Sequence, residues 1–408
     1  MQLNRVVVTG MGAVSPFGEG VGSLHAGIAE MRSAITHMER AQEVQDMRSH
    51  VAGLVPELDM KAIPRKDRRT MTDMGVFALL SAKEALSMAG ITEDQLTSGR
   101  LGMALSCTTN CGELIEEFFT HYLPEKTLDH CKSTTFFKFM GHAAVSSVAQ
   151  TLGVTGRILA PAAACATSTQ SIGLGYEAIL LGQQDMMICG GTEEIHPLSI
   201  ASFDFINAAS TKFNNAPQDT PRPFDVERDG VVCAEGAGLL LLESYDHAIK
   251  RGAKILAEIV GFSTLSSPKN PANPDSHAIK LCMEEALRQA GLLPEDIDYL
   301  NAHATGTSAG DIAESKAIEE LFDTNLPVSS FKGHLGHTLA ASGALETIAT
   351  ISGLQNDMLY PTRNLEQIDP ECGSINLLTK TCKASVTYFL KNSFALGGIN
   401  ASLILRRL

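Results

Sequence analysis

Short apolar runs alternate with longer helical stretches along this chain. Residues 6–8, 157–159, 186–189 and 239–242 form short, nearly uninterrupted apolar runs, which are typical of strands buried on both faces. The stretches 73–88 and 167–181 have the composition and apolar spacing of helices. This alternation predicts an α/β fold with several buried strands.

Two segments 201 residues apart resemble each other. The Glu-Ala-Leu and Ala-Gly groups of 83–94 recur in 284–296, and each copy predicts a helix ended by Gly, a turn and a strand, at 101–106 and at 299–302. A fainter match links the small-residue helices that open at Cys165 and at His337, 172 residues apart. Chance similarity between two amphipathic helices is the alternative. A true repeat predicts two α/β halves with the active site where they meet.

We expect the boundary between the halves to lie near residue 250. Residues 1–250 then form an N-terminal half that contains Cys165, and residues 251–408 form a C-terminal half that contains His303 and His337. The first strand of the second half is predicted at 255–260. Because no linker rich in Pro, Gly or Ser separates the halves, we expect one continuous body.

Composition limits the class of protein. With 408 residues, 44% hydrophobic and 19% charged, the chain has the composition of a soluble globular protein, and no apolar stretch reaches the roughly 20 residues of a membrane span. The chain begins with a strand and no signal peptide, so a cytoplasmic protein is expected. Nine cysteines without framework spacing predict reduced thiols. A net charge of −14 argues against nucleic acid as a partner.

Cys165 is the first candidate for chemistry. It stands where an apolar run gives way to the predicted helix 167–181. The partial positive charge of a helix N-terminus favours a thiolate, so we expect a lowered pKa for this thiol. The alternative is a small buried hydrophobic residue, the usual role of a free cysteine.

Two histidines favour the reactive interpretation. His303 lies in the segment 301–307 and His337 in the segment 332–338. One cysteine with two distant histidines is typical of acyl transfer. His334 and His337 form an H-x-x-H pair that could join His303 in a zinc site, but no carboxylate or thiolate has matching spacing. We therefore predict no metal.

Six motifs in order carry a resemblance to a known family. They are Ala-Cys-Ala-Thr-Ser around Cys165, the segments Pro-Arg-Pro-Phe-Asp and Arg-Asp-Gly in 221–230, His-Ala-Thr-Gly-Thr from His303, Gly310-Asp311, Lys332 with Gly336-His337, and Asn-Ser-Phe with Gly-Gly-Ile-Asn in 392–400. From residue 3 to residue 407 the chain resembles the type II, elongating β-ketoacyl-acyl-carrier-protein synthases. The resemblance implies the thiolase fold, in which two duplicated α/β halves form five α-β-α-β-α layers, usually as a dimer.

The resemblance also implies a mechanism. Cys165 would accept an acyl group from an acyl carrier protein, and His303 and His337 would donate hydrogen bonds to the enolate oxygen that forms when malonyl carrier loses CO₂. The backbone N–H groups of Cys165 and Phe394 would then stabilise the tetrahedral oxyanion. Because one thioester is exchanged for another, no cofactor is required.

Four further residues are assigned by the same resemblance. Lys332 and Glu314 would form an ion pair behind the histidines, and the Gly-rich setting beside the predicted strand 327–330 favours a buried over an exposed lysine. Thr305 and Thr307 would bind the amide oxygens of a phosphopantetheine arm. Ordinary turn chemistry explains two neighbouring hydroxyls equally well.

Two regions depart from the common pattern of the family. Phe394 resembles the start of the gating loop, but Ala395 and Leu396 stand where Gly and Phe are usual, so a stiffer loop is expected. Residues 107–111 and 116–119, which resemble the wall of the acyl pocket, also differ from the fatty-acid enzymes. These departures leave room for fatty-acid, polyene or polyketide chains as products.

A basic cluster is predicted to recruit the carrier, since acyl carrier proteins are acidic. The candidate docking residues are Arg65, Lys66, Arg68 and Arg69, which we call the basic segment 65–69, together with Lys132 and Lys212 by resemblance. A solvated helix start is the alternative. Basic side chains at a helix N-terminus oppose the macrodipole, which favours a recruiting role.

Two alternative functions are considered. A thiolase-type acyltransferase would share the fold but normally needs a second catalytic cysteine near the C-terminus, and Cys372 and Cys382 do not lie in such a motif. A chain-length factor, the non-catalytic partner of another synthase, would lack the nucleophile, whereas Cys165 is present. The sequence therefore predicts a 3-oxoacyl-carrier-protein synthase that forms a homodimer, or a heterodimer with a chain-length factor.

Overall fold

The computed structural model describes residues 3–129, 131–269 and 274–408. Its strands, numbered β1 to β16 in chain order, are Val6–Ser15, Gly18–Glu19, Ile35–His37, Val51–Gly53, Leu101–Ser106, Ile158–Leu159, Met186–Glu193, Gly236–Ser244, Ala257–Ser266, Tyr299–Asn301, Pro327–Ser329, Met358–Leu359, Asn376–Leu377, Cys382–Lys383, Tyr388–Phe394 and Ile399–Arg406.

The helices, numbered α1 to α15 in the same way, are Val21–Ala29, Glu39–Gln42, Arg65–Arg68, Asp73–Ala89, Glu93–Leu96, Gly112–Glu125, Thr135–Lys138, Ala143–Leu152, Thr167–Leu180, Pro197–Asp204, Tyr245–Lys250, Ser276–Ala290, Ser308–Leu321, Lys332–Leu335 and Ser342–Leu354. Short 3₁₀ helices occupy Met60–Ala62, Ala164–Ala166, Pro217–Asp219, Pro294–Asp296, Leu339–Ala341 and Pro370–Cys372.

The strand order shows the duplication directly. The main sheet runs β13-β11-β10-β15-β16-β9-β1-β8-β7-β5-β6, and β1 pairs antiparallel with both β8 and β9. If the main strands of each half are numbered separately, both halves have the order 3-2-4-5-1. The orientations also agree, because strand 2 is parallel to strands 3 and 4, and strand 5 is antiparallel to its neighbours. The predicted repeat of two α/β halves is confirmed.

Two helices occupy the layer between the halves. Every residue of α15 is buried, as are most residues of α9, so α15 is covered on all sides and α9 on most of its surface. A Cβ added at Gly343 of α15 would lie 2.0 Å from Thr169 Oγ1 of α9, and the missing side chain therefore permits close packing of the two helices. The outer layers include α4 and α8 on the first half and α12 and α13 on the second. This is the predicted five-layered arrangement.

The stronger of the two sequence repeats matches the structure. Helices α4 and α12 both end at a left-handed glycine, Gly90 with φ 66° and Gly291 with φ 68°, and these glycines are the predicted 201 residues apart. The predicted helices 73–88 and 167–181 are present as α4 and α9, within one residue at each end. The strand expected at 255–260 begins two residues later and continues to Ser266 as β9.

The fainter repeat was predicted in the wrong register. The 3₁₀ turns before α9 and α15 both contain a residue with positive φ, Ala164 at 45° and Leu339 at 46°, and the two helices begin at residues 167 and 342. The offset is therefore 175 residues rather than 172, and the counterpart of Cys165 is Ala340. His337 lies in the connection before the helix. Spacing alone misplaced it because a helix start and the turn before it are both rich in small residues.

Two whole-chain properties follow from the described residues. Within them, no helix combines the length and the apolar character that a membrane crossing needs. All nine cysteines are free thiols.

Candidate active site

Cys165 lies in the tight turn that begins the central helix α9. The 3₁₀ turn Ala164–Ala166 leads directly into the helix at Thr167, and the Ala163 N–H donates to Thr167 Oγ1 at 2.9 Å. Ala164 adopts the left-handed conformation, with φ 45°, which directs the chain from the strand side into the helix. The side chain of Cys165 is 4% exposed. The thiol is thus held in the layer between the two halves.

A buried carboxylate holds His303 in place. His303 follows β10, and its backbone N–H donates to Glu314 Oε1 of α13 at 2.9 Å, while the next N–H, of Ala304, donates to Oε2 at 2.7 Å. Asn392 Nδ2 of β15 also donates to Oε1, at 3.1 Å. Glu314 therefore fixes the turn that carries His303, a role different from the ion pair that the sequence predicted.

Backbone hydrogen bonds hold His337 in place. Its N–H donates to Val232 O at 2.8 Å, and its carbonyl accepts from the Ala234 N–H at 2.9 Å, on either side of Cys233. Gly336 precedes it with φ 79°, a conformation that favours glycine. The segment 231–234 of the first half therefore positions a histidine of the second half.

The fold brings the three predicted reactive residues together. The Cys165 sulfur and one nitrogen from each of His303 and His337 lie within 4.8 Å of one another, although the residues are distant in the chain. The imidazole centroids are 5.2 Å apart with the rings nearly perpendicular, and the Phe394 ring lies 5.9 Å from His303. Within the described residues, both nitrogens of His337 and Nδ1 of His303 are buried without a hydrogen-bond partner. Three imidazole nitrogens of this site thus keep a hydrogen-bonding capacity that no described protein group uses.

Both imidazoles are neutral near pH 7. Burial lowers the pKa of His303 and of His337 well below the ordinary value, and the positive charge of Lys332 lowers both further. A neutral imidazole has one N–H donor and one lone pair. A sulfur and two such nitrogens form a set that zinc could bind, but the ammonium groups of Lys332 and Lys391 oppose a dication here.

The expectation of a lowered thiol pKa was wrong. Burial raises the pKa of Cys165 to about 11, and the Leu396 backbone N–H and the charge of Lys332 offset this rise only in part. The sequence shows that Cys165 stands at the start of a helix, which lowers the pKa of a thiol, but it does not show how deeply the residue is buried. In this structure burial has the larger effect on the pKa. The thiol must therefore lose its proton to a neighbouring group when it reacts.

The predicted ion pair between Lys332 and Glu314 is also wrong. Lys332 Nζ pairs with Glu346 Oε1 at 2.7 Å, and Lys391 Nζ bonds to the other oxygen of the same carboxylate. All three side chains are fully buried. Sequence analysis missed Glu346 and Lys391, although a lysine inside the strand Tyr388–Phe394 and an acid inside the apolar helix Ser342–Leu354 were visible signals.

A cavity of about 350 Å³ leads to the three residues. Its walls include Cys165, Phe203, Ile206, Asp229, Asp275, His303, Thr305, Thr307, His337, Phe394 and Leu396. Thr305 Oγ1 and Thr307 Oγ1 are 3.0 Å apart and both face this space. Asp311 accepts the Thr305 and Gly306 N–H groups at 3.0 and 3.2 Å and so fixes the turn. The two hydroxyls lie where a substrate arm on its way to Cys165 would pass.

The loop after Phe394 closes one side of the cavity. The Ala395 N–H donates to Ile399 O at 2.8 Å, and the Gly398 N–H donates to Ala395 O at 3.0 Å. Positive φ angles occur at Gly397 and Gly398 but not at Ala395. The alanine therefore fits this state without strain, whereas states of the loop that need a positive φ at residue 395 are disfavoured.

The candidate docking residues are spread over the surface. In the basic segment, Arg65, Lys66 and Arg69 are exposed, and Arg68 is half-buried and donates from Nε to Ile63 O at 2.9 Å. None of the four lines the cavity. Lys212 is exposed, and its backbone N–H donates to Asp229, which is part of the cavity wall. Lys132 is exposed beside a separate cavity of about 130 Å³.

Neither candidate for the second cysteine of a thiolase lies at this site. Cys372 is fully buried in the core of the second half, and Cys382 lies in β14. Neither lines the cavity that contains Cys165. Among the described residues, the cavity therefore brings Cys165 together with two histidines and not with either of these cysteines.

Comparisons with known proteins show the family to which the chain belongs. Residues 3–248 match the family model for the beta-ketoacyl synthase N-terminal domain, and residues 256–366 match that for the C-terminal domain. The 3-oxoacyl-[acyl-carrier-protein] synthase 1 of Haemophilus influenzae is 34% identical over 407 residues, which cover 99% of each chain. A beta-ketoacyl synthase crystal structure from Burkholderia phymatum has a TM-score of 0.96 at 37% identity and covers 99% of this chain and 100% of its own.

A third relative is a complex. It is a type II polyketide acyl-carrier protein with its ketosynthase bound to the hexaketide, and it matches with a TM-score of 0.91 at 30% identity over the whole of both chains. Because both family models match and the relatives are similar over their full length, the chain belongs to the beta-ketoacyl synthase family, a family of acyltransferases.

Proposed function

We propose that this chain is a 3-oxoacyl-acyl-carrier-protein synthase, which extends a fatty-acid, polyene or polyketide chain by decarboxylative Claisen condensation. One observation carries the proposal: the Cys165 sulfur and two neutral imidazoles converge within 4.8 Å at the end of a cavity. A nucleophile for acyl transfer and two N–H donors for an enolate are the groups that this reaction needs.

In the first half-reaction, Cys165 takes the acyl group. Its sulfur attacks the carbonyl carbon of the acyl thioester while a neighbouring neutral imidazole accepts the thiol proton, which then passes to the departing pantetheine thiolate. The base is needed because burial raises the pKa of the thiol to about 11. The product is an acyl thioester on Cys165, and no cofactor takes part because thioester exchange is nearly isoenergetic.

In the second half-reaction, the malonyl thioester loses CO₂. The electrons of the broken C–C bond form an enolate, and N–H groups of His303 and His337 stabilise its oxygen. The enolate carbon attacks the acyl carbonyl, and the tetrahedral oxyanion is held by the backbone N–H groups of Cys165 and Phe394. Collapse of this intermediate expels the Cys165 thiolate, which takes up a proton, and the 3-oxoacyl thioester departs on the carrier.

The carrier brings both substrates. Thr305 and Thr307 would bind the amide oxygens of a pantetheine arm, a role supported by their position in the wall of the cavity. The exposed cations of the basic segment 65–69, with Lys132 and Lys212, would attract an acidic carrier protein. Because the basic segment does not line the cavity, it would hold the body of the carrier while the arm reaches the thiol.

The partner subunit is proposed to cover an exposed aromatic surface. No residue of α6 is buried, and the ring of Phe118 contacts those of Phe119, Tyr122, Phe136 and Phe139. Phe119 is 45% exposed and Phe136 41%. An apolar surface of this kind marks a protein interface, so we propose a homodimer, or a heterodimer with a chain-length factor. Phe119→Glu should yield monomers, measured by light scattering after gel filtration.

The test of the function is acylation of the purified protein. With a panel of acyl carrier proteins, mass spectrometry should find one acyl group on Cys165, and malonyl carrier should then give a 3-oxoacyl product. Cys165→Ser should remove both, because a hydroxyl is a much weaker acid and nucleophile than a thiol in the same site. A chain that acts only as a chain-length partner would show no acylation, and condensation by the Ser variant at the wild-type rate would refute the assignment.

A further inference from the structure

Lys391 is a buried cation that the proposed mechanism does not yet use. It lies in β15, three residues before Phe394, and side chains alternate between the two faces of the strand. Asn392 and Phe394 point to the side of the sheet that carries α13, where Asn392 contacts Glu314 and Phe394 contacts the His303 ring. Lys391 faces the central helices on the opposite side, where it bonds to Glu346 of α15.

The Lys391 ammonium connects three elements that carry the active site. It bonds to Glu346 Oε2, and Lys332 Nζ bonds to Oε1 of the same carboxylate at 2.7 Å. It also lies 3.5 Å from the carbonyl oxygen of Ala302, the residue before His303. The group thus touches the strand of Phe394, the turn of His303 and the helix after His337. A polar side chain with no such role would not be expected at full burial.

The cluster carries more cations than its shared carboxylate can balance. The charged and titratable groups around Lys391 are Glu346 of α15, Lys332 of α14 and Glu314 of α13, with the two imidazoles beyond them. Burial lowers the pKa of Lys391 to about 8, so the ammonium remains charged at neutral pH. Its charge is one of the causes that lower the pKa of His303 and His337, after burial and Lys332.

We propose that Lys391 is a positioning residue for the condensation: its ammonium fixes the strand of Phe394 against the turn of His303 and, through Glu346, against Lys332, so that both imidazoles stay in place and neutral. The inference rests on the proposed function. A purely structural lysine would affect stability or activity equally at every pH. A positioning residue that also keeps the imidazoles neutral should change the pH dependence of the reaction when its charge is removed.

The experiment separates the charge from the shape of the side chain. Lys391→Met removes the charge and the hydrogen bonds, while Lys391→Gln keeps donors for Glu346 but no charge. Malonyl decarboxylation is measured as kcat and KM against pH, and acylation of Cys165 by mass spectrometry. Lys280→Met, which removes an ion-paired lysine on the surface of α12, is the matched control and should behave as wild type.

Both variants should move the acid limb of kcat to higher pH, because a removed cation makes the imidazoles easier to protonate. The expected shift is about one pH unit, the effect of unit charges roughly 10 Å apart at an effective dielectric constant near 20. Lys391→Met should also lose up to about 100-fold in kcat at the optimum, the cost of a misplacement of about 1 Å. KM for malonyl carrier should change little, and Cys165 should still be acylated to one equivalent at the end point, although more slowly.

Two results would overturn the inference. One is an unchanged acid limb in Lys391→Gln, which isolates the charge and is the variant better able to fold because its amide can still bond to Glu346. The other is an equal loss of activity at every pH in Lys391→Met. If the wild-type protein fails to decarboxylate malonyl carrier, the proposed function itself is wrong. If the wild-type protein turns over normally and both Lys391 variants behave like it, only the role of Lys391 is wrong.

Discussion

Glu346→Gln should destabilise the protein strongly and in a pH-dependent manner. The carboxylate is fully buried and holds both Lys332 and Lys391, so the amide leaves two buried lysines without a counterion. Removing one partner of a buried ion pair costs about 3–5 kcal/mol. With an unfolding entropy of about 2.1 cal/mol/K per residue over 408 residues, this corresponds to a fall in Tm of about 4–6 °C.

The sign of the pH dependence follows from Lys391. Burial holds its pKa at about 8 in the folded protein, below its value in the unfolded chain, and Glu346 opposes this shift. The amide therefore lowers the folded-state pKa further. Below about pH 8, Lys391 is charged and paired with Glu346 in the wild-type protein. In the variant it has lost this partner, so in this pH range the lysine contributes to the difference in Tm between the two proteins. Above about pH 8 Lys391 is neutral in both folded proteins, so its share of the deficit disappears.

Thermal unfolding of wild type and Glu346→Gln at pH 6.5 and pH 9 would measure this effect, with the pH values chosen on either side of about 8. Glu320→Gln is the matched control, because Glu320 pairs with Lys280 at the surface and its loss should change Tm by less than about 1 °C at both pH values. A deficit that is equal at the two pH values, or absent at the lower one, would refute the assignment of Glu346 as the counterion of Lys391.

Three further predictions concern activity. His303→Ala or His337→Ala should slow malonyl decarboxylation about 10²–10³-fold while some acylation of Cys165 persists; normal conversion of malonyl to acetyl carrier in both variants would remove them from the mechanism. Reversing the three arginines of the basic segment 65–69 to Glu should raise KM for the acyl carrier protein and weaken its salt dependence, with a pantetheine thioester processed as before; equal loss on both substrates would indicate damage to the fold. Ala395→Gly should broaden the range of acyl chains that Cys165 accepts, measured by mass spectrometry, and an unchanged range would mean that the loop does not set the selectivity and would favour the segment 107–111, which by resemblance forms the wall of the acyl pocket.

The three candidate residues, which the fold brings together, could be found from the sequence because each stands at a recognisable junction. Cys165 begins a helix after an apolar run, His303 follows the strand Tyr299–Asn301, and His337 lies in the connection between two helices, after Gly336. The position of such junctions along a repeated α/β pattern indicates where the halves meet. The three residues do converge, within 4.8 Å of one another, although the turn equivalent to that of Cys165 contains Ala340 and not a histidine.

The interactions that tune these residues could not be read in the same way. Which carboxylate pairs with Lys332 depends on which face of each helix points at it, and Glu346 satisfies this condition whereas Glu314 is used by two backbone N–H groups. The pKa of the thiol likewise depends on depth, which the sequence does not record. Spacing locates a residue on an element, but contact requires the packing of several elements together.

The matching turns of the two halves give the chain two pseudo-equivalent places for a nucleophile. One contains Cys165, and the other contains Ala340, after a residue of the same left-handed conformation. At the second place the backbone N–H of Ala340 donates to the buried carboxylate of Glu193 at 3.2 Å, across the boundary between the halves. The same position of the repeat therefore carries the thiol in the first half and a hydrogen bond between the halves in the second. The duplicated turns have kept the same backbone conformation, but they have acquired different roles.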